Sequence, residues 1–120
     1  MLSVSTNTPH KNLSILLAVM RSLGERYSLV RVGQKIGESI TFDYADSVTM
    51  NKIYNACDIL VFPSLEEGFG LPLIEAFATN LPAVVSDIPV FHEIGGNVPL
   101  YVDNRNPESI AYGIREAYRN

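Results

Sequence analysis

The apolar positions of this chain fall into short unbroken runs, separated by segments in which they recur at helical spacing. After its first residue, Asp58-Ile59-Leu60-Val61-Phe62 has no polar interruption, the pattern of a strand buried on both faces. Residues 28–32, 39–42, 83–86 and 100–102 read as further strands, and 2–5 as a weaker one. Leu13, Leu16, Leu17 and Met20 share one face of a helix that Asn12 or a neighbour is expected to cap. Met50, Ile53 and Tyr54 share another, with Asp46 or Ser47 as its cap. A turn is expected at 7–10. Residues 71–79 read as a helix with Pro72 in its first turn, and 90–94 as a short helix stopped at Gly95-Gly96. Asn106 and Pro107 supply the cap and first position of a last helix. Apolar strands alternating with helices predict an α/β fold, a Rossmann-like parallel sheet with helices on both faces.

One connection breaks that pattern. Only six residues, 34–39, lie between Gly33 and Ile40, whereas a parallel crossover takes about a dozen or more. Either a helix has been lost here, or the two strands meet through a tight antiparallel turn, or one of the strands is misplaced. A lost helix would thin one edge of the sheet and lower stability without removing a site.

With 120 residues there is room for one domain, 1–120, and one core. A charge of −4 offers no basic field, which argues against nucleic acid as a partner. The single cysteine, Cys57, excludes an internal disulfide and reads as a buried, inert thiol in a reducing compartment. No apolar run reaches the length of a membrane span and no signal-peptide pattern opens the chain, so a cytoplasmic location is the expectation. Two histidines and one cysteine, far apart, give no metal-ligand spacing, and no metal or other cofactor is expected.

The candidate chemistry lies between the strand at 58–62 and the helix at 71–79. That loop holds Glu66, Glu67, Gly68, Phe69 and Gly70, and Glu75 follows within the helix. A strand, a glycine-containing loop and a helix N-terminus direct unpaired backbone N–H groups outward, toward phosphate or hydroxyl oxygens. Seven residues separate Glu67 from Glu75, so both can face one crevice.

The run Pro63-Ser64-Leu65-Glu66-Glu67-Gly68-Phe69-Gly70-Leu71-Pro72-Leu73-Ile74-Glu75-Ala76 resembles the donor site of retaining glycosyltransferases with the GT-B fold, family 4 or group 1. That family carries a Glu, seven residues and a second Glu around Gly-Phe-Gly-Leu-Pro. Tyr54-Asn55-Ala56-Cys57-Asp58 is similar to its Tyr-x-x-Ala-Asp element with one residue changed, and 81–87 to the loop and strand that follow. The resemblance covers nearly the whole chain, but only the C-terminal half of a typical member. It implies a nucleoside-diphosphate sugar as donor substrate and an acceptor that the motifs do not name. It also implies a separate N-terminal domain to complete the cleft. Peripheral contact with a membrane stays open, because many members use lipid-linked acceptors.

Carried over position by position, Glu75 would accept both ribose hydroxyls, and Glu67, the catalytic-site carboxylate, would lie beside the transferred sugar and the phosphates. Gly68, Phe69, Gly70 and Leu71 would present the helix-start backbone to the donor. Glu66 reads as a solvated rim charge. A glycosidase-like carboxylate pair is rejected, because the match places Glu75 at the nucleotide and not at the anomeric carbon. Lys11 is the candidate phosphate clamp. The family's arginine, one or about six residues before that lysine, is absent: His10 and Ser5 stand there. His92 reads as a surface or packing residue, and Glu93 as a cap or brace of its short helix. A rival from another class is a non-catalytic binding or assembly module that keeps the fold and docks or self-associates through the uncovered domain face. A receiver-like or flavodoxin-like domain shares the alternation, but neither an acidic phosphoacceptor cluster nor a flavin loop is present.

Overall fold

The structure, a computed structural model, describes residues 1–5 and 8–119. Six strands, β1 (Leu2–Val4), β2 (Val30–Val32), β3 (Ile40–Phe42), β4 (Leu60–Phe62), β5 (Ala83–Ser86) and β6 (Leu100–Val102), form one sheet in the order β3-β2-β1-β4-β5-β6. Every pairing is parallel. The order reverses between β1 and β4, and ligands of open α/β sheets bind at such a switch, beyond the carboxyl ends of the strands.

Strand residues alternate between two cores. Ile59, Val61, Val84 and Val102 face α1 (Ile15–Leu23) and α5 (Pro107–Arg119), meeting Leu16, Val19, Ile110 and Ile114. Leu2, Leu60, Phe62 and Val85 face the opposite way, onto residues of α2 (Ser47–Ala56), α3 (Leu71–Ala78) and α4 (Pro89–Gly95). Burial on both sides is why the strands read as continuous apolar runs. The caps follow local chemistry: the Asp46 carboxylate accepts from Thr49 N at 2.7 Å, and Asn106 Oδ1 from Glu108 N at 3.0 Å. Asn12 does not cap α1. It sits at φ 59° ahead of the helix, whose cap position is held by Ser14 without a side-chain bond. The turn expected at 7–10 is a 3₁₀ turn at Pro9–Lys11, and Asn7 lies outside the described residues.

The short connection does join two parallel strands, in register Val30↔Ile40 and Val32↔Phe42. No helix intervenes and the antiparallel turn is ruled out. Three-residue strands make this possible, because the chain has to climb back only about 7 Å and step sideways about 5 Å. Gly33, at φ 127°, starts the return, and its N–H donates to Phe42 O at 2.8 Å. Ile36 then packs on the α1-side core where a crossover helix would lie. A cavity of about 660 Å³ remains there, walled by Leu16, Leu17, Met20 and Ile36, and neither Glu67 nor Glu75 lines it.

Beneath this edge lies a residue the apolar pattern conceals. Arg31, within β2, is fully buried. Its partners are oxygens rather than a carboxylate: Nε donates to Gln34 O (3.0 Å), NH1 to Ser3 O and Oγ (3.2 and 3.0 Å), and NH2 to Ser5 O (2.7 Å). Burial lowers its pKa from the ordinary arginine value. The guanidinium thereby ties the end of β1 to the turn that leaves β2.

Candidate donor-binding site

The loops leaving β1 and β4 are fastened to each other. Asn12 Nδ2 donates to Pro63 O (3.0 Å) and Asn104 O (2.6 Å), Asn104 Nδ2 donates to Ser64 O (3.0 Å), and Leu65 N donates to His10 O (2.8 Å). Asn12 is thus a brace between three loops. Its side-chain amide bonds distant backbone instead of the helix start, a role that local capping rules do not reveal.

Within that frame Lys11 and Glu67 meet. Lys11 Nζ donates to Glu67 Oε2 at 2.6 Å, and Ser64 Oγ donates to the same oxygen at 2.8 Å. The Glu67 side chain keeps 6% of its accessible surface and that of Lys11 19%. The pair is therefore poorly hydrated and stronger than a surface ion pair. Ser64, which the sequence reading left without a role, is fully buried and fixes one Glu67 oxygen.

Beyond Glu67 the chain turns into α3. Gly68, Phe69 and Leu71 are exposed and Gly70 is buried. Among the described residues, the N–H groups of these four positions donate to no other group, while Gly70 O accepts from Leu73 and Ile74. An array of open donors at a helix start suits an oxygen-rich ligand. Gly70 is required here. It lies at φ 78°, and a Cβ would come within 3.2 Å of Phe91 and 3.1 Å of Ile94. Gly70→Ala should therefore cost about 1–3 kcal/mol in stability, read from urea unfolding.

Glu75 stands apart from the ion pair. Its carboxylate is exposed, without hydrogen bond or ion pair among the described residues. It lines a cavity of about 300 Å³ between α2 and α3, with Ala45, Ser47, Met50, Asn51 and Tyr54. A second cavity, of about 550 Å³, shares Ala45 and Met50 with it and runs along Val4, Ser5, Val32, Gly33 and Tyr44 at the carboxyl ends of β1 to β3. The two form a trough leading from Glu75 toward the end of β1. The motif reading missed this trough because its walls come from four separate segments of the chain. Glu66 is exposed, as expected of a rim charge. Away from the trough, His92 stacks on Tyr101 with centroids 3.9 Å apart and bonds Asp87, whereas Glu93 is exposed and caps nothing. Cys57 is half-buried, and burial raises its pKa, which suits an inert thiol. Among the described residues no cluster of three His, Cys, Asp or Glu is placed to hold a metal ion, and no helix is long and apolar enough to cross a membrane.

The family model described as "Glycosyl transferases group 1" matches residues 1–120. The chain belongs to the group 1 glycosyltransferases. The O-antigen chain mannosyltransferase RfbU of Salmonella typhimurium is 36% identical over 124 residues, covering 90% of this chain and 35% of RfbU. This group 1 domain thus spans about a third of that relative's length. Two solved structures share its fold. Anabaena HepE, in complex with UDP and glucose, has a TM-score of 0.85 at 15% identity, over 99% of this chain and 38% of that one. The C-terminal domain of the group 1 protein LpcC from Francisella tularensis gives 0.81 at 19% identity, over 99% of this chain and 75% of that one. These likenesses agree with the GT-B half expected from the motif.

Proposed function

We propose that this group 1 domain holds a nucleoside-diphosphate sugar across the β1/β4 switch. Together with the rest of a longer protein, it would transfer the sugar, with retention, to an acceptor hydroxyl in glycan synthesis. The observation that carries this reading is the Lys11–Glu67–Ser64 cluster at the switch, next to the open N–H groups of 68–71. In this arrangement the nucleoside lies in the trough with its ribose diol on Glu75. The diphosphate lies between Lys11 and the start of α3, where the helix dipole and the lysine meet its charge. The hexose sits beside Glu67. The name of RfbU favours mannose as the transferred sugar and a polysaccharide as the product.

The acceptor oxygen would attack the anomeric carbon on the face from which the diphosphate departs. The departing phosphate oxygen takes the acceptor proton. The domain's part is to orient the donor and to stabilise the leaving charge.

The test is calorimetric titration of the protein with UDP, GDP and ADP and their glucose and mannose conjugates. One nucleotide should bind, and Glu75→Ala should weaken it about 10–100-fold, the scale of one hydrogen bond to a charged group. A folded chain that binds none of them would sink this reading and favour the assembly module.

A further inference from the structure

Tyr54 carries a hydroxyl that its packing does not explain. The residue is 2% exposed, with its ring in the core shared with α3 and α4. Its hydroxyl oxygen is one of two buried side-chain polar atoms without a hydrogen-bond partner among the described residues. A phenylalanine would fill the same space without stranding a polar group. A stranded hydroxyl destabilises a fold, and one placed beside a ligand cavity calls for a partner that arrives with the ligand.

Tyr54, on α2, lines the same cavity as Glu75, on α3. The Glu75 carboxylate is likewise without hydrogen bond or ion pair among the described residues. Of the other side chains lining that cavity, Thr79 is engaged: its Oγ1 donates back to Glu75 O and Ala76 O. Burial first, and then the charge of Glu75, hold the phenol protonated and therefore able to donate.

We infer that Tyr54 is a positioning residue for Glu75: when a ribose diol draws the carboxylate into the cavity, the Tyr54 hydroxyl donates to one of its oxygens and fixes its rotamer. A carboxylate has about four acceptor positions, enough for the phenol and both sugar hydroxyls together. The inference rests on the reading of Glu75 as the ribose ligand.

The experiment is Tyr54→Phe in the full protein, followed by ligand-free thermal unfolding and by titration with the nucleotide that the wild type binds. The same titration is made in Glu75→Gln and in the double variant. The ligand-free Tm should stay level or rise, because nothing that was paired is lost. Nucleotide affinity should fall about 5–10-fold, the worth of one ordinary net hydrogen bond, and in the Glu75→Gln background Tyr54→Phe should change little. Unchanged affinity in Tyr54→Phe, beside a loss in Glu75→Gln, would overturn the positioning role and leave the ribose reading intact. Unchanged affinity in both single variants would overturn the two together. A full loss from Tyr54→Phe in the Glu75→Gln background would show that the hydroxyl does not act through Glu75. A markedly lower ligand-free Tm would show that it already has a partner. Either result overturns the inference.

Discussion

Gly33→Ala should lower the stability of the chain by about 3–5 kcal/mol, or leave it unfolded at 37 °C, the scale of combined backbone strain and overpacking. The residue lies at φ 127°, a conformation strained for any L side chain. A Cβ there would stand 2.2 Å from the carbonyl oxygen of Ser5 and 2.7 Å from NH2 of Arg31. Neither atom can retreat cheaply. Ser5 O accepts from Arg31 NH2 at 2.7 Å, Ser5 N donates to Val32 O, and Gly33 N is held by Phe42 O. Moving them apart would strand a buried guanidinium that has no carboxylate partner among the described residues. Gly70 is the contrast: its close neighbours are the ends of Phe91 and Ile94 side chains, which can yield. Urea unfolding of the two alanine variants should separate them by at least 1 kcal/mol. Equal losses would mean that the end of β1 slides away from β2 and that Arg31 is not a rigid tie.

The second large effect concerns the ion pair. Lys11→Met should cost about 2–4 kcal/mol, because it leaves the buried Glu67 carboxylate with Ser64 as its one hydrogen-bond donor among the described residues. Lys11→Met combined with Glu67→Gln should recover much of that loss, since the uncompensated charge goes with the second change. The double variant is thus expected to be more stable than the single one, the reverse of additive damage. Under the proposed function, both variants should fail to transfer sugar in the full-length protein. Stability and activity then part company: the double variant is well folded and inactive. A single variant as stable as wild type would show that water already satisfies Glu67 and that the pair is a surface contact. Chemical denaturation of the wild type, both single variants and the double variant would measure the coupling.

The sequence made most of the sheet legible for a physical reason. Parallel strands covered on both faces are apolar throughout, so Ile59, Leu60, Val61 and Phe62 announce themselves, and helices between them carry their own caps at Asp46 and Asn106. Glu67 and Lys11 could be nominated one at a time. Their bond to each other could not, because it depends on β1 and β4 being neighbours, which the element order alone does not state. The helix-free parallel crossover went against the usual length of such connections, and only the shortness of β2 and β3 resolves it. Arg31 offered no sign that its partners are main-chain oxygens. Asn12 was read by a local rule, whereas its partners Pro63 and Asn104 come from the loops after β4 and β6.

The placement of β1 at the centre of the sheet also governs how the chain can mature during synthesis. Its first partner, β2, leaves the ribosome early, but β4 follows only after β3 and α2. Until then the side of β1 that will face β4 is an open edge with unpaired backbone groups, the kind of surface on which nascent chains associate wrongly. Lys11 has no Glu67 during that interval, and Asn12 has neither of its carbonyls. Under the proposed function, the donor site is therefore completed only when β4 enters the gap beside β1, and nucleotide would assist folding only from that moment onward.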